Sequence, residues 1–205
     1  MRVIGLLLLV FLMASCGSNS VDPSEAIIIH GGEKEGGKLK VIKDSIPSFS
    51  FVNQNRDTIT NETFKGQVYV TDFFFTSCPS ICVPMSRQMS RIYDKYEKDD
   101  RVMLLSHSID TKNDTIEALK DYEMKLDVSA DKWHFVTGDW DDIERMAAVY
   151  MIAANVDKDA PGGYNHSGMF ILVDTKGQIR GFCNGTDEAA VSILMEDMDL
   201  LLNEK

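Results

Sequence analysis

Basic residues are scarce in this chain: Lys and Arg number 21 against 32 Asp and Glu, a formal net charge of −11 over 205 residues. Such a field repels phosphate backbones and argues against nucleic acid as a partner. No internal repeat is present, which leaves one domain of ordinary size plus something short within this length. The apolar run at residues 3–14 falls short of the roughly 20 residues that a membrane-spanning helix needs. Cysteine is also sparse, at four residues. What remains lies near the globular average, with 44% apolar and 26% charged residues, so a core can be buried.

The N-terminus differs from the rest. Arg2 provides a minimal positive region, and the apolar run that follows has the length of a signal-peptide core. It ends in Met13-Ala14-Ser15-Cys16, followed by the polar stretch Gly17-Ser18-Asn19-Ser20. This pattern resembles a bacterial lipoprotein signal, although Met13 stands where leucine is commoner. The resemblance implies that Cys16 is lipidated and that the mature chain is exported and held at a membrane on its extracytoplasmic, periplasmic side. Residues 17–44 are rich in Ser, Gly, Glu and Lys, with Gly31-Gly32 and Gly36-Gly37, and predict a flexible tether. The expected division is a signal at 1–15, a tether at 16–45 and one domain at 46–205.

Within that domain the patterns become regular. Residues 67–75 and 102–109 have the composition of buried strands, and residues 133–136 predict a short one. Met85, Met89, Ile92, Tyr93 and Tyr96 trace one face of a helix, as do Ile143, Met146, Ala147, Tyr150, Met151 and Ala154. Asp114-Thr115-Ile116-Glu117 reads as a capping box opening another helix that runs to about Leu126. Residues 168–173 and 178–183 flank the turn Asp174-Thr175-Lys176-Gly177, a hairpin signal, and a C-terminal helix follows. The order βαβαβαββα predicts an α/β fold, a central mixed sheet covered by helices on both faces.

With Cys16 set aside, Cys78, Cys82 and Cys183 remain, an odd count that leaves at least one thiol without an internal partner. Cys78 and Cys82 lie where a strand gives way to a helix, and Pro79 suits the first turn of that helix. If the helix begins there, the two thiols are near neighbours, able to hold one metal ion or to close a disulfide. A helix N-terminus favours thiolate over thiol. Two buried cysteines serving as small hydrophobes, or a structural disulfide, are the plainer alternatives.

The stretch Asp72-Phe73-Phe74-Phe75-Thr76-Ser77-Cys78-Pro79-Ser80-Ile81-Cys82-Val83-Pro84-Met85 resembles the signature of the Sco/SenC family. Supporting stretches are Ile46-Pro47-Ser48-Phe49, Ser108-Ile109-Asp110 with Asp114-Thr115, Trp133-His134-Phe135-Val136-Thr137-Gly138, and Asn165-His166-Ser167. The similarity covers about residues 46–200. It implies a thioredoxin-like fold that binds one copper ion, as Cu(I) or Cu(II), through Cys78, Cys82 and His166. It further implies a metallochaperone for the dinuclear copper centre of cytochrome c oxidase, delivering to an oxidase subunit or another copper protein, and a monomer is expected. Soft thiolates beside an imidazole agree with copper independently. The family usually carries Asp where this chain has Asn165, which predicts an altered copper affinity. The glycine-rich loop at 158–163 is expected to be mobile, letting His166 swing onto the metal after the thiolates.

The rival function is a thiol–disulfide oxidoreductase in which Cys78 attacks and Cys82 resolves, so enzyme activity stays open. Against it stand the CxxxC spacing and a histidine where such enzymes carry a cis-proline. A peroxidase is disfavoured because Phe75 occupies the place of its threonine. His107 and His134 are expected to be satisfied strand histidines. His30 is a weak candidate for metal capture. Met85 and Met89 are expected to pack, Asp110 and Asp114 to shape the strand-to-helix loop with capping the simpler account of Asp114, and Cys183 to be a semi-buried thiol with minor options as a fourth ligand or in an intermolecular disulfide.

Overall fold

The computed structural model describes residues 31–204. The signal at 1–15, the lipid site Cys16 and His30 lie outside the described residues.

The chain forms β1 (Lys34–Glu35), β2 (Lys38–Leu39), β3 (Ser50–Asn53), β4 (Thr58–Thr60), β5 (Val68–Phe74), α1 (Cys82–Tyr96), β6 (Val102–Ser108), α2 (Ile116–Leu126) and β7 (Trp133–Thr137). Then come α3 (Trp140–Val149), β8 (Ala154–Val156), β9 (Tyr164–His166), β10 (Met169–Val173), β11 (Ile179–Asn184) and α4 (Glu188–Asn203). Seven strands make one sheet in the order β11-β10-β5-β6-β7-β3-β4. β5, β6 and β7 are parallel, joined by crossovers through α1 and α2, and β3, β4, β10 and β11 pair antiparallel on the two flanks. The mixed central sheet with helices on both faces is therefore present.

Every residue of β5 and β6 is buried, as parallel strands covered on both sides must be. Side-chain alternation sorts them into two layers. Phe74 packs on Tyr122 of α2 and on Phe135, while Trp133 meets Tyr93 of α1. On the opposite face Phe73 and His107 stack at 4.8 Å, with Phe49, Phe51 and Tyr150 around them. Both faces carry a buried polar pair: Ser106 Oγ donates to Asp72 at 2.5 Å on one, and Thr71 Oγ1 lies 3.2 Å from His107 Nδ1 on the other. His107 is less satisfied than its sequence context predicts, because its Nε2 has no partner among the described residues.

The tether expectation is corrected for residues 31–45. Gly31 N–H donates to Phe182 O, Ile42 N–H to Ile179 O and Ile179 N–H to Lys43 O, so this segment lies along β11, the edge strand. Covering an edge removes its unpaired backbone groups from solvent. Asp197 of α4, fully buried, accepts from Gly32 N–H at 2.7 Å and pairs with Lys34 at 2.8 Å. Only glycine fits at position 31, since a Cβ there would stand 2.6 Å from the Asp197 carboxylate and φ is +86°. Leu39 is buried in the core.

Among the described residues no helix is long and apolar enough to cross a membrane.

Candidate metal centre

Cys78 follows the end of β5 in an irregular turn, with its N–H bonded to Phe75 O at 3.2 Å. Helix α1 starts later than Pro79, with Ile81 as the N-cap and Cys82 as its first residue. Cys78 thus stands outside the helix and Cys82 at its positive end, where no side chain caps the first turn. The sequence signal for a start at Pro79 was correct about turn-forming residues and three residues early about the first helical hydrogen bonds.

His166 ends β9, the second strand of a small hairpin with β8. Its Nε2 lies 3.5 Å from Cys82 Sγ, and its Nδ1 donates to the Ser167 carbonyl at 3.3 Å, which leaves Nε2 as the lone-pair nitrogen. One donor atom each from Cys78, Cys82 and His166 lies within 4.8 Å of the others. Among the described residues this is the only such group of Cys, His and carboxylate donors. All three side chains are nearly buried, and the two thiols border a surface cleft that does not include His166.

The thiols titrate as a couple. Contact with the neighbouring Cys82 thiol, helped by the backbone at Ser80 and Cys82, lowers Cys78 to about 3 despite burial. The same contact, and then burial, push Cys82 far up. The coupling thus favours one thiolate beside one thiol, with Cys78 the more acidic of the two.

Two carboxylates of the β6–α2 loop hold the surroundings in place. Asp114 accepts from Thr76 N–H at 3.0 Å, from Thr76 Oγ1 at 2.6 Å and from Ser108 Oγ at 2.5 Å. It does not cap α2, as its sequence context predicts; Thr115 does, accepting from Ala118 N–H. Asp110 accepts from Tyr164 Oη at 2.9 Å, two residues before His166. Both aspartates thus shape the strand-to-helix loop, as their position allows; nothing in the sequence marks Thr76 and Tyr164 as their partners.

The loop before His166 is more constrained than its glycines suggest. Gly162 has φ +84°, and a Cβ there would meet the Phe75 ring at 2.6 Å, so glycine answers a steric demand. Phase and packing then carry His166, whose ring sits edge-on to Phe75 at 6.1 Å. Asn165 is exposed and pairs with Asn155 in the hairpin, and the Ser167 carbonyl, not this amide, orients the imidazole. Met85 and Met89 are core residues. Cys183 is fully buried rather than semi-buried, its thiol pushed up by burial, and it stands outside the donor cluster. Burial also takes it from reach of an intermolecular disulfide. His134 is a buried strand residue whose Nδ1 lies 3.3 Å from Asn53 Nδ2.

This sheet, with a dithiol at the junction of β5 and α1 and an imidazole above it, defines a thioredoxin-like protein with a candidate metal centre. Residues 39–199 match the sequence model of the SCO1/SenC family, and the chain belongs to that family. A SCO1/SenC family lipoprotein from Bacillus anthracis superposes with a TM-score of 0.74 at 25% identity, over 81% of this chain and 99% of that one. BsSco, described as a member of the Sco family of cytochrome c oxidase assembly proteins with a disulfide switch, gives 0.70 at 28% identity, over 82% and 99%. Copper-bound ScoI of Bradyrhizobium japonicum shares the fold, with 0.63 at 24% identity over 74% and 98%.

Proposed function

We propose that the chain is a copper carrier that serves assembly of the dinuclear copper centre of cytochrome c oxidase, exported and held at the membrane through lipid on Cys16. The observation that carries this reading is the convergence of the Cys78, Cys82 and His166 donor atoms within 4.8 Å. Two sulfurs and an imidazole suit Cu(I) and tolerate Cu(II), whereas hard cations prefer oxygen. Three donors leave an open position for a recipient's ligand, in contrast to the closed four of structural zinc. Both thiols border the surface cleft, so exchange with a recipient can begin at the sulfurs. The BsSco and ScoI relatives, named for oxidase assembly and for bound copper, support the assignment. The lipoprotein name of the Bacillus anthracis relative supports the anchor.

The test is anaerobic copper titration of the reduced chain and of His166→Ala. One tight copper per chain is expected, with a Cu(II)–thiolate absorption band that the variant loses. Retention of stoichiometric Cu(I) by the Cys78→Ala, Cys82→Ala double variant would overturn the reading.

A second reading, reduction of a partner disulfide, is favoured by the unequal thiols. The Cys78 thiolate attacks the partner disulfide and releases one partner sulfur, which takes a proton. Cys82 then loses its proton and attacks Cys78, freeing the second partner thiol. Two electrons pass to the partner, and a Cys78–Cys82 disulfide remains.

A further inference from the structure

A cleft of about 280 Å³ runs from the dithiol between α1 and α2, bordered by Cys78 and Cys82 at one end. Its apolar walls include Val83, Tyr122 and Leu126, and Val83 is 58% exposed although it directly follows Cys82. A single exposed apolar residue is ordinary, but here Val83 carries the apolar wall of Tyr122 and Leu126 up to Cys82. The volume sits at the lower edge of the roughly 300–1,000 Å³ common for small-molecule sites. That size suits one or two side chains of a partner better than a whole cofactor.

Charge separates this cleft from the rest of the molecule. The chain carries −11, yet no acidic residue lines the cleft, while Arg87 and Lys125 do. Among the described residues neither of these cations is in an ion pair. A local cationic lip on an acidic protein selects for a carboxylate and rejects other acidic surfaces by the surrounding field.

We propose that this cleft docks a cysteine-bearing segment of the recipient protein that carries a carboxylate next to its cysteine. The recipient's sulfur meets Cys78, its carboxylate lies between Arg87 and Lys125, and an apolar neighbour packs on Tyr122 and Leu126. This deepens the proposed function and rests on the dithiol being the group that reacts with the recipient.

The probes are two short peptides, each a symmetric disulfide, differing only in Glu or Lys beside the cysteine. Their rates of reduction by the reduced chain are divided by that protein's own rate with a small neutral disulfide. In each reaction the Cys78–Cys82 dithiol becomes a disulfide and the peptide disulfide becomes two thiols. The Glu peptide is expected to be preferred by roughly threefold or more at low ionic strength, less so in high salt. The preference should invert in Arg87→Glu, Lys125→Glu. Lys98→Glu, exposed in the turn after α1, should leave it in place. Equal peptide rates beside a normal neutral rate would overturn the docking proposal alone, as would a Lys98→Glu effect matching that of the cleft variants. If no disulfide were reduced, docking would fall together with the thiol reading, while copper titration would judge the metal reading separately.

Discussion

The Tyr164 hydroxyl donates to the Asp110 carboxylate at 2.9 Å, and this bond ties the histidine hairpin to the β6–α2 loop. Four residues along, Asp114 grips the cysteine turn through Thr76. One short loop therefore sets the distance between the imidazole and the thiols, although none of its residues is a metal donor.

Tyr164→Phe keeps the ring against Phe75 and removes only the hydroxyl. A hydrogen bond to a charged group is worth about 1.5–3 kcal/mol. Part of that energy should appear as a several-fold loss of copper affinity, with the rate of reaction of Cys78 with disulfides little changed. Competition titration against a copper chelator measures it; full affinity would mean that packing on Phe75 suffices to place His166.

Asp114→Ala leaves Thr76 N–H and the Thr76 and Ser108 hydroxyls without their acceptor. The expected destabilisation is about 2–4 kcal/mol, smaller in Asp114→Asn, which retains one acceptor oxygen. Urea denaturation of the two variants reads it. A loss below that of an ordinary surface substitution would show that the turn holds without Asp114.

The dithiol should carry a single thiolate across most of the working pH range. Cys78, lowered to about 3, ionises well below an ordinary thiol, and Cys82, raised, stays protonated above one. Ultraviolet thiolate absorbance of the metal-free reduced chain, corrected with Cys78→Ser, should show one thiolate at pH 5 and no second step near pH 9. Two thiolates appearing together near the reference value would contradict the coupling.

His107 and Asp72 bend the pH–stability profile in opposite senses. Burial lowers His107 from 6.5 to about 3, so the unfolded chain gains a proton that the folded chain refuses, and stability falls as pH drops through that window. Burial raises Asp72 from 3.8 to about 6, so stability falls as pH rises through that interval. Each slope approaches ~1.4 kcal/mol per pH unit, and between pH 4 and 6 they largely cancel. Asp72→Asn should expose a net acid-side loss, and His107→Phe the reverse trend. Denaturation midpoints measured across that interval decide it; parallel profiles for both variants would refute the assignment.

Much of this was legible from residue patterns. Buried strands such as β5 and β6 announce themselves by composition, and a CxxxC at a strand-to-helix junction declares reactive sulfur. His166, 84 residues from Cys82, could be named only through family resemblance, because no local pattern marks it. The hairpins β3–β4 and β8–β9 escaped notice because their strands are three or four residues long and give too little alternation to register. Residues 31–45 read as linker because their composition is polar and glycine-rich. They dock through backbone hydrogen bonds and through Asp197, more than 150 residues away. For Asp114 the pattern allows both capping and loop-bracing, and only its inward bonds to Thr76 and Ser108 decide for the second.

The seating of Gly32 and Lys34 on the buried Asp197 has a mechanical consequence. A pull arriving from the N-terminal side is borne first by a carboxylate on α4 and by the hydrogen bonds along the outermost strand. That strand is separated from β5 by β10, so the load path ends before it reaches the turn that carries Cys78. A force applied at residue 31 can therefore reorient the domain as a body without stretching the spacing of its sulfur and nitrogen donors.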